Sequence, residues 1–538
     1  MRLQWRKFEW WGTVALLMFG LAIPLLLFLN RVLIPDVSAD SLNYHLYLGF
    51  KGFNIDNSQY EFYPTGIHNF SPILDMVGYG LNAILGYRLG TLFSLAAIYL
   101  AILALYKLLR LFEPDFKILG ELGATFLFVS SFLSFELFLG IGSYYNDGLI
   151  AATSLWVIYW LFKFIKFGGN KNLYLASAML SVLVWGKQTN LYLALAFGIT
   201  LIYLWIKKKI GLKKIIIAVL ITGLLPSIWY FKNWQITGNP VFPFYNAIFK
   251  SQYFESVSFK ETQFGGKDLW QKINWGLYSA FDPPRLGQVH DLFNDYKINI
   301  YWAAGIVGLI LLRSGLAWFY VVLFILWGLM FGYLRYGLIL EFLGGLILLL
   351  VYAKFKNNRW RYLIFLPLML VLLVQNKRVV NMSLAYDIAF RQGYFYNRAS
   401  YPKEINNLWV NKIEVKNSSN FKTDVYLNCA FGGMSYYVLS PFNNLPVLNV
   451  ENRVYGSMTN NPKYIDESFD KLKLKLGNKQ VIRFITIAAR EGMNTEYGTC
   501  FNNLKSKGWV VDGETEATFL HYGPQKLSII TGYLDMNN

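Results

Sequence analysis

Between about residue 12 and residue 376 the chain is a succession of apolar stretches, many close to the roughly 20 residues a helix needs to cross a bilayer. Inside hydrocarbon the backbone polar groups must bond to one another, so such stretches fold as helices. The composition agrees, with 55% hydrophobic and only 15% charged residues, against about 25% charged in a soluble domain. That excludes a soluble cytosolic enzyme, a disordered chain and a collagen-like repeat. Two cysteines are too few for a disulfide scaffold. The chain reads as a polytopic membrane protein.

A net charge of +18 raises nucleic acid as a partner, so the placement of the charge decides. The basic residues sit in short loops: Arg2, Arg6 and Lys7; Lys163, Lys166 and Lys171; Lys207, Lys208, Lys209, Lys213 and Lys214; Lys354, Lys356, Arg359 and Arg361. Each cluster abuts the end of an apolar span, as the positive-inside rule expects. None has the interleaved aromatic platform that binds single strands. The charge is read as topology, with membrane lipids and not nucleic acid as partners.

With the N-terminus inside, the spans fall at about 12–34, 89–111, 119–139, 147–166, 171–187, 190–206, 213–231, 299–313, 316–333, 337–353 and 361–376. These make about eleven transmembrane helices and put the C-terminal part outside. External loops are expected at about 35–88 and 232–298. Segment 71–86 is apolar but short and glycine-rich, and is read as a helix lying at the interface. The first span lacks a small-residue cleavage site before Pro35, so it is read as a span and not a signal peptide.

Beyond about 378 the composition shifts to Asn, Lys, Asp and Gly. Strand-like runs appear at Val425–Leu427, Val481–Ile487, Trp509–Val511 and Thr518–His521, with helical patterns at Asn460–Leu476 and Thr499–Lys507. The expectation is a transmembrane domain over 1–377 and an extracytoplasmic α/β domain over 378–538. On that side of the membrane Cys429 and Cys500 form a disulfide or remain two buried thiols.

Chemistry is sought where polar residues stand at span ends without serving topology. The first external loop opens with Pro35-Asp36-Val37-Ser38-Ala39-Asp40-Ser41-Leu42-Asn43-Tyr44-His45. With a helix beginning near Ser38 or Asp40, Asp36 and Asp40 lie one turn apart and Tyr44 continues that face, while a plain helix cap is the alternative for Asp40. A second external turn carries Gly142-Ser143-Tyr144-Tyr145-Asn146-Asp147-Gly148, where Asp147 is either an N-cap or part of an acidic site. Lys187, in Trp185-Gly186-Lys187-Gln188-Thr189-Asn190, is a cation at an outer span end, either snorkelling or aimed at an anionic headgroup. Arg335-Tyr336 puts an arginine in a second outer connection, and its fork of donors suits phosphate. Asn233 through Phe244, with Thr237-Gly238-Asn239-Pro240 at its centre, dictates a rigid turn.

These features together resemble the GT-C membrane glycosyltransferases, most closely the bacterial branch of family 39, the protein mannosyltransferase-like group. The likeness rests on Asp40-Ser41-Leu42-Asn43-Tyr44-His45, Tyr63-Pro64-Thr65, Asn146-Asp147, Lys187-Gln188-Thr189 and Asn233 through Pro243, and covers roughly residues 1–340. Where some members of the fold carry a paired acidic dipeptide, this chain has Asp40-Ser41, so a metal requirement does not carry over. A divalent cation, if used, has Asp36, Asp40 and Asp147 as candidate ligands.

The resemblance implies transfer of a hexosyl or pentosyl group from a polyprenyl-phosphate donor to a lipid-linked glycan, lipid or protein acceptor, with inversion, at the outer face of the inner (plasma) membrane. The residue types fit that reaction. A carboxylate can deprotonate an acceptor hydroxyl, and fixed cations can hold a departing lipid phosphate. Asp40 is the expected base, with Asp36 and Asp147 as supporting acids. Lys187 and Arg335 are expected to hold phosphate, and Tyr44, His45 and Asn146 to bind or orient substrate. No glycine-rich nucleotide loop is present. An envelope-glycan ligase or polymerase remains an alternative, as does a lipid-linked sugar flippase or other transporter. A transporter should carry its ionisable residues near mid-membrane, and a non-catalytic assembly partner gives no reason for this acidic and basic cluster.

Overall fold

Among the described residues of the computed structural model, seven helices are long and apolar enough to cross a membrane: Trp10–Val32, Leu92–Phe112, Asp147–Phe167, Gln188–Ile206, Leu212–Thr237, Leu334–Lys354 and Leu363–Leu384. The structure describes residues 2–32, 41, 45–53, 71–113, 121–242, 244–251, 255–257, 264–286, 296–355 and 361–386. In the C-terminal part it describes 424–428, 447–449, 481–488, 510–522 and 525–535, with a few residues between. Two shorter apolar helices, Lys297–Leu311 and Gly315–Met330, and the Asn170–Gly186 helix account for three further expected spans.

The expected span 119–139 is the exception. It is broken into Leu122–Ser130 and Phe135–Leu139. Ser131 Oγ turns back to Phe128 O, and Ser134 caps the second piece at Leu137 N, so local side-chain bonds compete with the helix ladder. The carbonyls freed by the break are taken up from elsewhere: Tyr301 Oη donates to Ser130 O at 3.0 Å, and Lys297 Nζ donates to Leu133 O. Arg31 does the same for the next turn, donating to Ile141 O at 3.0 Å and to Phe138 O. Buried backbone acceptors need such partners.

The helices sort into a core and a lipid-facing rim. Leu338–Lys354 is buried along almost its whole length, from Leu338 through Tyr352. Leu212–Thr237 instead exposes Ile216, Val219, Leu220, Leu224, Ile228 and Phe231, an apolar surface that only hydrocarbon solvates well. The chain is an integral membrane protein.

Of the expected segment 71–86, residues 75–86 lie in the helix Asp75–Gly90, which packs against a short helix, Leu46–Phe53. The contact is backbone-close at Gly49. A Cβ there would stand 2.3 Å from Tyr79 Cβ and 2.7 Å from Asp75 O. Only glycine allows the two helices to meet at that distance.

The described residues of the C-terminal part form a five-stranded sheet with order β2-β1-β3-β5-β4. Its strands are β1 Val425–Asn428, β2 Val447–Asn449, β3 Val481–Ala488, β4 Val510–Tyr522 and β5 Gln525–Asp535. β1 is parallel to β2 and β3, whereas β5 is antiparallel to β3 and β4. Residues 510–511 and 518–521 of the two expected runs belong to a single strand, with Trp509 outside the described residues. Register shifts at Asp512/Thr515 and Thr518/Leu520 interrupt its alternation, which made one bulged strand read as two. Cys429, Cys500 and most of the expected helices 460–476 and 499–507 lie outside the described residues.

Candidate functional site

Asp147 is the centre of the site. It is the first residue of the Asp147–Phe167 helix, and Asn146 holds the cap position without a side-chain cap bond. Asp147 therefore does not spend its carboxylate on capping. Its Oδ1 accepts from Lys187 Nζ at 2.6 Å and its Oδ2 from Arg335 Nε at 2.6 Å. The three side chains are 8%, 11% and 14% exposed, so the group is largely shielded from water. Desolvation of this kind strengthens the attraction and makes each member costly to leave alone.

Interruptions between spans place both cations. Lys187 is extended at φ −152°, ψ 119°, ending the Asn170–Gly186 helix before the Gln188–Asn190 turn. Arg335 lies in the short Leu334–Gly337 turn that precedes the buried Leu338–Lys354 helix. Aromatic rings hold them in place. Arg335 stacks over the Tyr145 ring at 4.3 Å, and Lys187 Nζ lies 5.0 Å from the Tyr336 ring centre.

A second polar group adjoins the first through consecutive residues. His45 Nδ1 and Asp75 Oδ1 are 2.6 Å apart, and Asn146 Nδ2 donates to the same oxygen at 3.0 Å. All three are buried. Burial raises the Asp75 carboxyl above the usual range, opposed by the His45 partner. The His45 ring also meets the Tyr145 ring edge-on at 5.6 Å. Tyr145, Asn146 and Asp147 thus join the His45–Asp75 pair to the two cations.

The structure brings His45, Asn146, Asp147, Lys187 and Arg335 together. Asp36, Asp40 and Tyr44 lie outside the described residues, as does Tyr63-Pro64-Thr65. Asp75 is the participant that sequence reasoning missed. Its one signal was a lone carboxylate at the head of an otherwise apolar segment, which a helix N-terminus explains equally well. Among the described residues, no group of three or more His, Cys, Asp or Glu stands ready to hold a metal ion. Each Asp147 oxygen is already engaged by a cation, so this carboxylate does not fit a metal-ligand role.

Beside Tyr336 lies a cavity of about 630 Å³. The turn expected at 233–244 forms one wall. Gly238, left-handed at φ 71°, ends the Leu212–Thr237 helix, a conformation that favours glycine. Asn239 then accepts from Val241 N at 3.0 Å and donates to Phe244 O at 3.0 Å. This presents Val241, Phe244 and Tyr245 to the cavity. Phe264 and Tyr333, stacked at 4.2 Å, contribute another wall. Lys267, Lys272 and Arg285 supply positive charge, with no carboxylate among the described lining residues.

The polytopic helical architecture matches the GT-C fold. The chain is similar over 96% of its length to the crystal structure of ArnT from Cupriavidus metallidurans in the apo state, covering 98% of that chain at 10% identity and a TM-score of 0.51. ArnT from the same organism bound to undecaprenyl phosphate aligns over 96% and 97% of the two chains, at 11% identity and a TM-score of 0.48. No protein-family model and no curated protein matches the chain.

Proposed function

We propose that the protein is a membrane glycosyltransferase that moves a sugar from a polyprenyl-phosphate donor to an acceptor hydroxyl at the extracytoplasmic face of the inner (plasma) membrane. The observation that carries this reading is Asp147 held 2.6 Å from both Lys187 and Arg335 at the ends of their spans. A carboxylate shared by two cations keeps them oriented before an anion arrives. The GT-C fold supports the reading, and the aromatic, positively charged cavity beside Tyr336 suits a lipid-linked anionic substrate.

In the proposed reaction the acceptor oxygen attacks the anomeric carbon while the bond from that carbon to the phosphate oxygen breaks. The polyprenyl phosphate leaves with the bonding pair, and Lys187 and Arg335 balance the growing charge. Asp40 takes the acceptor proton. Single displacement inverts the anomeric centre. Asp36 supports Asp40, Tyr44 binds or orients substrate, and the His45–Asp75–Asn146 group ties the start of the Leu46–Phe53 helix to the head of the Asp147 helix.

The test is sugar transfer from labelled polyprenyl-phosphate donors. Asp40→Asn keeps size and polarity but removes basicity, so transfer should fall at least about a hundredfold, the low end of general-base catalysis, while donor binding survives. Asp36→Asn should cost less. Near-normal transfer by Asp40→Asn removes it as the base, and no transfer by the wild type from any such donor sinks the reading.

A further inference from the structure

Gln188 is the polar residue of the cavity wall that the ion centre leaves unused. It is 7% exposed, and neither its amide oxygen nor its amide nitrogen has a hydrogen-bond partner among the described residues. A buried unpaired amide is costly, and Leu or Met would fill the same volume without that cost. Its position follows from the break before it. The extended backbone at Lys187 interrupts the helical run, so that Lys187 reaches Asp147 while its neighbour Gln188 lines the cavity. Tyr336 belongs to both places, since it lines the cavity and lies beneath Lys187 Nζ. The amide therefore stands where a ligand joined to a bound phosphate would extend.

We propose that Gln188 is a specificity-determining residue that reads the hydroxyl pattern of a sugar ring seated in this cavity, an inference that rests on the glycosyl-transfer reading above. The amide needs a ligand that donates to its oxygen and accepts from its nitrogen. A polyprenyl chain does neither. A phosphate oxygen accepts but cannot donate, and in the reading above its charge is met by Lys187 and Arg335. A sugar offers donor and acceptor on adjacent hydroxyls, and the aromatic rings of the wall give its carbon faces a flat surface. A site built to bond a substrate hydroxyl discriminates strongly against the analogue that lacks it, because its own polar atoms are then left unpaired.

The experiment compares wild type, Gln188→Leu and Gln188→Glu. The donor arm uses a polyprenyl-phosphate hexose and each of its monodeoxy forms. The acceptor arm uses octyl glycosides and their monodeoxy forms, with kcat/KM and thermal stability followed in both. Wild type should reject one monodeoxy sugar by at least about a hundredfold. Gln188→Leu should lose a similar factor on the parent sugar and treat parent and deoxy forms alike, with its melting temperature retained. The arm in which this occurs identifies the sugar that is read. Gln188→Glu keeps the shape and the acceptor but removes the donor, and supplies the same comparison where the leucine variant does not fold. A uniform loss on every sugar, unchanged discrimination, or rescue only by amide-bearing peptide acceptors overturns the proposal and leaves glycosyl transfer standing. A wild type that transfers from no polyprenyl-phosphate donor overturns both.

Discussion

Arg335 Nε donates to Asp147 Oδ2 at 2.6 Å across 188 residues of chain, and Lys187 occupies the other oxygen of the same carboxylate. One acid thus ties together three segments: the head of the Asp147–Phe167 helix, the break after Gly186 and the turn before Leu338. Removing the acid is therefore a different perturbation from removing either base.

Asp147→Asn leaves two shielded cations facing each other without a counter-charge. Breaking a buried pair by deleting one partner costs about 3–5 kcal/mol, and the variant should unfold at a distinctly lower temperature in detergent. Lys187→Met should cost less, because Arg335 still neutralises the carboxylate. Equal stability for Asp147→Asn and wild type would show that the group contributes nothing to folding.

Lys187→Met and Arg335→Met should each weaken binding of a polyprenyl-phosphate sugar analogue. Hydrogen bonds to charged groups contribute about 1.5–3 kcal/mol, or roughly ten- to a hundredfold in affinity. Isothermal titration at two salt concentrations checks this. Unchanged donor affinity in both variants would leave these cations with a structural role only.

Lys51 lies on the Leu46–Phe53 helix, where burial first and the Lys232 charge second pull its ammonium down to about 7. Its folded value is thus below its unfolded value of 10.5. Below the folded value both states are protonated and the whole penalty for burying the charge applies. Between the two values the unfolded chain binds the extra proton, so this residue makes stability rise with pH over that window. Lys51→Met should remove that rise and gain most against wild type at acidic pH, as read by melting temperatures at pH 6 and pH 9. Parallel profiles for the two proteins would refute the assignment.

Gly49→Ala places a methyl group against Tyr79 and the Asp75 carbonyl, where backbone cannot move aside cheaply. Overpacking of this kind costs about 1–3 kcal/mol. It should also separate His45 from Asp75, so proton signals of the His45 ring should shift in the variant. Wild-type stability in Gly49→Ala would mean that the two helices are not in close contact.

Membrane sidedness follows from the charge pattern. Cysteines introduced at positions 209 and 357 should label only from inside, and those at 40 and 270 only from outside. Finding position 40 and the C-terminal sheet on opposite sides would remove the proposed mechanism.

Apolar length and the placement of Lys and Arg are local properties, and the helical membrane architecture followed from them directly. Local chemistry also singled out Lys187 and Arg335 as cations where topology has no need of them, and Asn146-Asp147 as a polar head on an apolar helix. The Thr237-Gly238-Asn239-Pro240 turn was equally legible, since its bonds close within a few residues. Pairing was not legible. That one carboxylate takes both cations, and that Asp75 meets His45 and Asn146, depends on contacts 30 to 188 positions apart. The break at Ser131–Ser134 was hidden for the same reason. Its sequence is apolar enough to span, but its freed carbonyls are stabilised by Tyr301 and Lys297 from distant helices. Periodicity along one helix specifies which residues face a neighbour, while only the packed bundle, with close approaches such as Gly49 on Asp75, decides which neighbour that is.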